Sequence, residues 1–179
     1  MKTVVCMGDS ITHGFPYGEH VSWTRHLAER TGFQIINRGI DGNTTTDMCD
    51  RFQRHVLAQH PDYVIIMGGA NDIVWRESHD RIVWNLREMI EAAQSQGIKV
   101  ILGLPTPIDD LEMERRLDRV RGWIRDYARE HGLKIIDFYA ALIDEQGLIN
   151  EEMILDGAHP TETGYRRMFE AIPLDIFED

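Results

Sequence analysis

The sequence predicts an α/β fold: an open parallel sheet with helices on both of its faces. Three observations predict it. Five short runs of β-branched and apolar residues recur along the chain, each near-continuous rather than alternating, as in strands buried on both faces. Amphipathic helix patterns fill the intervals between them. Strand and helix also alternate strictly, the order that a parallel sheet with right-handed crossovers requires.

The first strand lies in "TVVCMGD", from Thr3, and is followed by a helix over 23–30. The second lies in "FQIINRG", from Phe33, followed by a helix over 46–58. The third is "YVIIMGG", from Tyr63; its helix runs over 81–96, with Ser78 and Asp80 as N-cap candidates and Gly97 as the stop. The fourth is "KVILGLP", from Lys99, with a helix over 112–130 that Gly132 ends. The fifth is "LKIIDF", from Leu133, and a last helix over 162–171 follows. Trp75, Trp84 and Trp123 are expected between helices and sheet, and the acidic stretches "DDLEMERR" and "NEEM" read as solvated surface.

The 179 residues fit one domain over 1–179, with no linker, low-complexity tract or repeat period inside it. A formal charge of −11 repels phosphate backbones and anionic lipid, which argues against nucleic acid and membrane-surface partners. No apolar run reaches membrane-spanning length and no basic-then-apolar leader opens the sequence, so no stable membrane anchoring and a cytoplasmic location are expected. Cys6 and Cys49 read as thiols packed as small hydrophobes rather than a disulfide. No sequence feature fixes an oligomeric state.

In an open parallel sheet the functional crevice lies beyond the carboxyl ends of the strands. There the sequence places Gly8-Asp9-Ser10, Gly39 and Gly42, Gly68 to Asp72, "PTP" from Pro105, and "DGAHPTETGY" with Asp156 and His159. Of the four serines, Ser22 opens a helix, Ser78 reads as a cap and Ser95 ends a helix; only Ser10 follows a strand in a small-residue turn. A serine hydroxyl needs a base to become a nucleophile, and histidine is the usual one. His159 has Asp156 three residues before it, a spacing that allows the carboxylate to accept from one ring nitrogen and leaves the other for Ser10. His13 and His20 lie nearer to Ser10 in sequence but have no acid at comparable spacing. Gly42, with a bare backbone N–H, and Asn71, with a side-chain amide, are the candidate oxyanion donors.

Four blocks in this order resemble the SGNH hydrolases, the GDSL-type esterases and lipases: Gly8-Asp9-Ser10-Ile11-Thr12, Asn37 to Gly42, Gly69-Ala70-Asn71-Asp72 and Asp156-Gly157-Ala158-His159. The resemblance implies a three-layer α/β/α sandwich with strand order 2-1-3-4-5. It also implies a nucleophile at Ser10, a base at His159 oriented by Asp156, and an oxyanion hole of the Ser10 and Gly42 N–H groups with the Asn71 amide. Asp9 is a supporting residue, and neither a metal nor another cofactor is implied. Ile11 replaces the leucine of the family's short name, and no G-x-S-x-G elbow is present, which separates the chain from the α/β-hydrolases.

The expected reaction is serine-dependent hydrolysis of a small-molecule carboxylic ester through an acyl-enzyme, on short-acyl or acetyl substrates. Lysophospholipase or acyl-thioesterase activity is the alternative within the same family. Outside it, a metal phosphoesterase would use Asp9, Asn71, Asp72, Asp156 and His159 as ligands but lacks further well-placed histidines. A flavodoxin-like phosphate- or nucleotide-binding module would leave Asp156 and His159 without a role, and a catalytically dead binding protein would not need the full set of catalytic residues. The short connections predict an open, shallow cleft, with Phe15, Tyr17 and Trp75 as candidates for its rim.

Overall fold

In the computed structural model, which describes residues 1–178, the strands are β1 (Thr3–Gly8), β2 (Gln34–Gly39), β3 (Tyr63–Met67), β4 (Lys99–Gly103) and β5 (Lys134–Ile136). They form one parallel sheet in the order β2-β1-β3-β4-β5, as the resemblance implied. The helices are α1 (Ser10–His13), α2 (Trp23–Thr31), α3 (Thr45–His55), α4 (Ala70–Val74), α5 (His79–Ser95), α6 (Leu111–His131) and α7 (Glu162–Glu170). The sequence pattern did not show α1 and α4, because four and five residues are too few to display a helical period.

Successive strand residues enter opposite cores. Val5, Met7, Val64, Ile66, Val100 and Leu102 join α3, α5 and α6 in one apolar cluster. Val4, Cys6, Ile65, Met67 and Ile101 join α2 and α7 in the other. Because both faces are covered, alternation in space leaves no alternation in hydrophobicity, which is why the central strands read as continuous apolar runs. The edge strand β2 departs from that expectation, being only partly buried from Ile35 onward. Both cysteines are free, Cys6 in the core and Cys49 half-buried on α3.

Two of the tryptophans expected in the interior lie outside it. Trp75 is 72% exposed, and Trp84 is 53% exposed beneath the Arg87 guanidinium, 4.9 Å from its ring centre. Trp23 fills the interior instead, fully buried with its ring 4.9 Å from that of Phe138. Ser78 caps α5 by accepting from the Arg81 N–H, whereas Asp80 sits inside the first turn. Among the described residues no helix is long and apolar enough to cross a membrane.

The carboxyl ends of β1 and β2 are pressed against α1. A Cβ at Gly39 would run into the backbone nitrogen of His13 and lie 2.7 Å from the Asp9 carbonyl oxygen. Glycine is required there by close approach of two backbones, since neither neighbour is a side-chain tip that could swing away. Gly39→Ala should therefore lower stability by about 1–3 kcal/mol through overpacking. Because the strain falls on the helix that carries Ser10, ester turnover should drop with it. An unchanged thermal midpoint with full activity would show that α1 has room to retreat.

Candidate active site

Strand β1 ends at Gly8, and the chain turns directly into α1, whose first residue is Ser10. Asp9 caps this helix, its carboxylate accepting from the Ile11 N–H at 3.0 Å. Ser10 is 6% exposed, yet its Oγ lies 3.0 Å from Nε2 of His159. Nδ1 of that ring lies 2.7 Å from Asp156 Oδ2, and the other carboxylate oxygen of Asp156 accepts from the backbone N–H groups of His159 and Ala158 at 2.8 and 3.1 Å. Asp156 thus holds both the ring and the backbone of its histidine. Burial pushes the Asp156 carboxyl up, but the hydrogen bonds from His159 and Ala158 outweigh it and hold the group below the usual carboxylate range. A carboxylate can only accept, so Nδ1 carries the proton and Nε2 presents its lone pair to Ser10.

Gly42 lies in the loop after β2 with φ +77°, and a Cβ there would meet nothing within 4 Å. The open side of the loop faces outward, while its far end is bound. The Asn71 amide, in the first turn of α4, donates to the Asn43 carbonyl at 2.9 Å, which commits one of its two N–H bonds and leaves the other. Arg51, on α3, donates from Nε to Asn43 Oδ1 at 2.7 Å, from Nη1 to the Arg38 carbonyl at 2.9 Å and from Nη2 to the Gly8 carbonyl at 2.8 Å. Asp72, fully buried, accepts from the Thr45 N–H at 2.9 Å and its hydroxyl at 2.6 Å, tying α4 to the first turn of α3. The structure therefore gathers Ser10, Asp156, His159, Gly42 and Asn71 at one edge of the sheet.

The sequence profile of the GDSL-like Lipase/Acylhydrolase family matches residues 6–167. The chain belongs to that family. It is 31% identical over 213 aligned positions to the uncharacterized lipoprotein YqeF of Bacillus subtilis, covering 96% of this chain and 88% of that one. It is 30% identical to an acetylxylan esterase of Geobacillus stearothermophilus, over 81% of this chain and 73% of the esterase. The crystal structure of a member of the lipolytic protein G-D-S-L family from Veillonella parvula superposes with a TM-score of 0.85 at 29% identity, over 94% of each chain. The protein is a GDSL-type serine carboxylic ester hydrolase.

The three rim candidates of this GDSL hydrolase are placed differently. The Phe15 ring lies 4.5 Å from the imidazole of His159, and its carbonyl accepts from the Tyr165 hydroxyl at 2.6 Å. Tyr17 turns its ring edge to Tyr165 instead, 6.5 Å away. Trp75 ends α4 and projects into solvent. The acids named for a metal phosphoesterase are dispersed: Asp72 is engaged by Thr45 and Asp156 by His159. Among the described residues no three His, Cys, Asp or Glu side chains come together as metal ligands.

Sequence spacing missed one pair. His13 does have an acid partner, Asp41, its Nδ1 lying 2.8 Å from Asp41 Oδ1. The two are 28 positions apart, so only the β1–β2 register brings them together. Arg51 was missed as well, since a helical arginine carries no sign of which carbonyls it will meet.

Asp9 carries a charge cost that pH can read. Its carboxyl is pushed up to about 6, chiefly by burial, against the Ile11 N–H and the nearby His159 imidazole, which pull it down. A carboxyl raised in the folded state binds more protons there than in the unfolded chain, so folding stability falls as pH rises from about 4 to 6 and stays lower above. Asp9→Asn keeps an oxygen for the Ile11 N–H and removes the charge. Its thermal midpoint should match wild type near pH 4 and exceed it at pH 7, by an amount worth up to about 3 kcal/mol. A gap that does not change with pH would show that Asp9 is not the titrating group.

Proposed function

We propose that the enzyme hydrolyses short-acyl esters, acetyl esters above all, through an acyl-enzyme on Ser10. The observation that carries this reading is the continuous chain from Ser10 Oγ to His159 Nε2, 3.0 Å, and from His159 Nδ1 to Asp156, 2.7 Å. His159 takes the Ser10 proton as Oγ attacks the ester carbonyl, and Asp156 stabilises the imidazolium that forms. The Ser10 and Gly42 N–H groups and the uncommitted N–H of Asn71 receive the developing oxyanion. His159 then returns its proton to the departing alcohol, and water repeats the sequence to release the acid and free Ser10.

Two features favour a small acyl group. Phe15 stands against the imidazole and limits the space beside the nucleophile. The similarity to an acetylxylan esterase points the same way. A cavity of about 470 Å³, lined by Ile108, Leu111 and Leu148 but also by Asp109, Asp110, Glu114 and Glu151, lies beside the loop of Asp156 and His159, where the Asp109 N–H donates to the Gly157 carbonyl at 2.7 Å. Its four acidic side chains make it a poor host for a longer apolar chain.

A fluorophosphonate should label Ser10 with one equivalent, and Ser10→Ala should abolish turnover while leaving the fold intact. Mapping of the adduct to Ser22, Ser78 or Ser95 would overturn the assignment. Asn71→Ala should lower kcat by about 10²–10³ with KM comparatively steady, because the amide meets charge that exists mainly in the transition state. Specificity constants for p-nitrophenyl esters should peak at acetyl to butyryl and decline toward decanoyl, since each added methylene gains about 0.8 kcal/mol only where it leaves water. A steady rise through dodecanoyl would overturn the short-acyl reading and favour lysophospholipase or thioesterase activity.

A further inference from the structure

The loop that carries Gly42 is fastened unevenly. On its carboxyl side Asn43 is held three ways: its side-chain oxygen by Arg51, its carbonyl by the Asn71 amide, and its N–H by the Ile40 carbonyl at 3.2 Å. Ile40, Asp41 and Gly42 themselves are exposed, and no side chain would touch a Cβ at Gly42. Packing therefore does not locate the Gly42 N–H. On its amino side, the Ile40 N–H donates to the Gly8 carbonyl at 3.2 Å, and beyond that point the one side-chain tie among the described residues is the 2.8 Å contact between Asp41 and His13. Asp41 directly precedes Gly42, and His13 ends the four-residue helix that Ser10 begins. The carboxylate can only accept, so His13 Nδ1–H donates to it whether the ring is neutral or charged, and the tie persists in both states.

We propose that His13 and Asp41 form a clamp that sets the distance between the nucleophile and the Gly42 oxyanion donor; they are positioning residues that touch no reacting atom. The inference rests on the reading of Ser10 as nucleophile and the Gly42 N–H as donor. One end of the clamp is a helical turn from Ser10 and the other is one peptide from Gly42. A displacement at either end changes the geometry of the transition state more than that of the bound ester, because the donor must meet the oxyanion and not the ground-state carbonyl oxygen. Both side chains are partly in solvent, His13 at 36% and Asp41 at 47%, so neither is needed to fill a core.

The test compares His13→Ala, Asp41→Ala, the double variant and Asp41→Asn, using p-nitrophenyl acetate, with Ser10→Ala alongside. Each alanine variant should lose about two- to fivefold in kcat, the upper part of the range of one partly exposed pair expressed as rate, with KM and the thermal midpoint unchanged. The double variant should be no worse than either single, since removing one partner already opens the clamp. Asp41→Asn, which keeps an accepting oxygen, should recover most of the rate. Full kcat in the single variants, losses that multiply in the double, a loss confined to KM, or a lowered midpoint without rescue by asparagine would each overturn the clamp. Residual turnover by Ser10→Ala would instead overturn the acyl-enzyme reading beneath it. An inactive Ser10→Ala beside fully active clamp variants would reject the clamp alone.

Discussion

The site depends on the way Arg51 answers the ends of two parallel strands. Where β1 and β2 stop, the Gly8 carbonyl keeps one partner, the Ile40 N–H at 3.2 Å, and the chain must turn away without leaving the other carbonyls of this edge orphaned. Arg51 supplies donors to Gly8 and Arg38 and spends its remaining geometry on Asn43. One fixed, planar cation therefore joins the strand that delivers Ser10 to the loop that delivers Gly42. Burial lowers the pKa of this guanidinium, with the charge of Asp47 opposing that shift. Neutral acceptors dominate its shell, so geometry rather than ion pairing is what the residue contributes.

The same economy of polar ties recurs on the third strand. Asp72 is held by Thr45, and the Asn85 amide reaches from α5 to the Thr45 and Thr46 hydroxyls at 3.0 Å. A buried carboxylate raised by desolvation persists because both of its oxygens are occupied. The arrangement fixes α4, and with it Asn71, against α3, whose first turn follows the Gly42 loop. Ser10, Gly42 and Asn71 follow three different strands, and the hydrogen bonds of Arg51 and of the Asn71 amide converge on Asn43, the residue after Gly42.

How much of this was legible in the sequence follows from how local each cause is. Strands covered on both faces announce themselves as apolar runs, so the sheet could be read; β2 read the same way, although its edge position leaves it half-covered. Asp156 and His159 are three residues apart and meet within one turn, so their pairing was visible as spacing. His13 with Asp41 and Arg51 with Asn43 depend on register between distant strands and helices, which no local pattern records. Trp84 failed for a related reason: hydrophobicity suggested burial, but the inner side of α5 was already taken by Ile82, Leu86, Met89, Ile90 and Ala93.

The hydrogen bond between Ser10 and His159 spans 149 positions of the chain. During synthesis the serine therefore emerges well before the imidazole it meets in the fold. Until the sheet has closed and the Asp156 turn has docked, the Ser10 hydroxyl has no imidazole beside it and is a serine like any other. The fold thus acts as its own safety catch: a nascent or partly unfolded chain holds none of these contacts, and the pairing of Ser10 with His159 and Asp156 forms only with completed assembly.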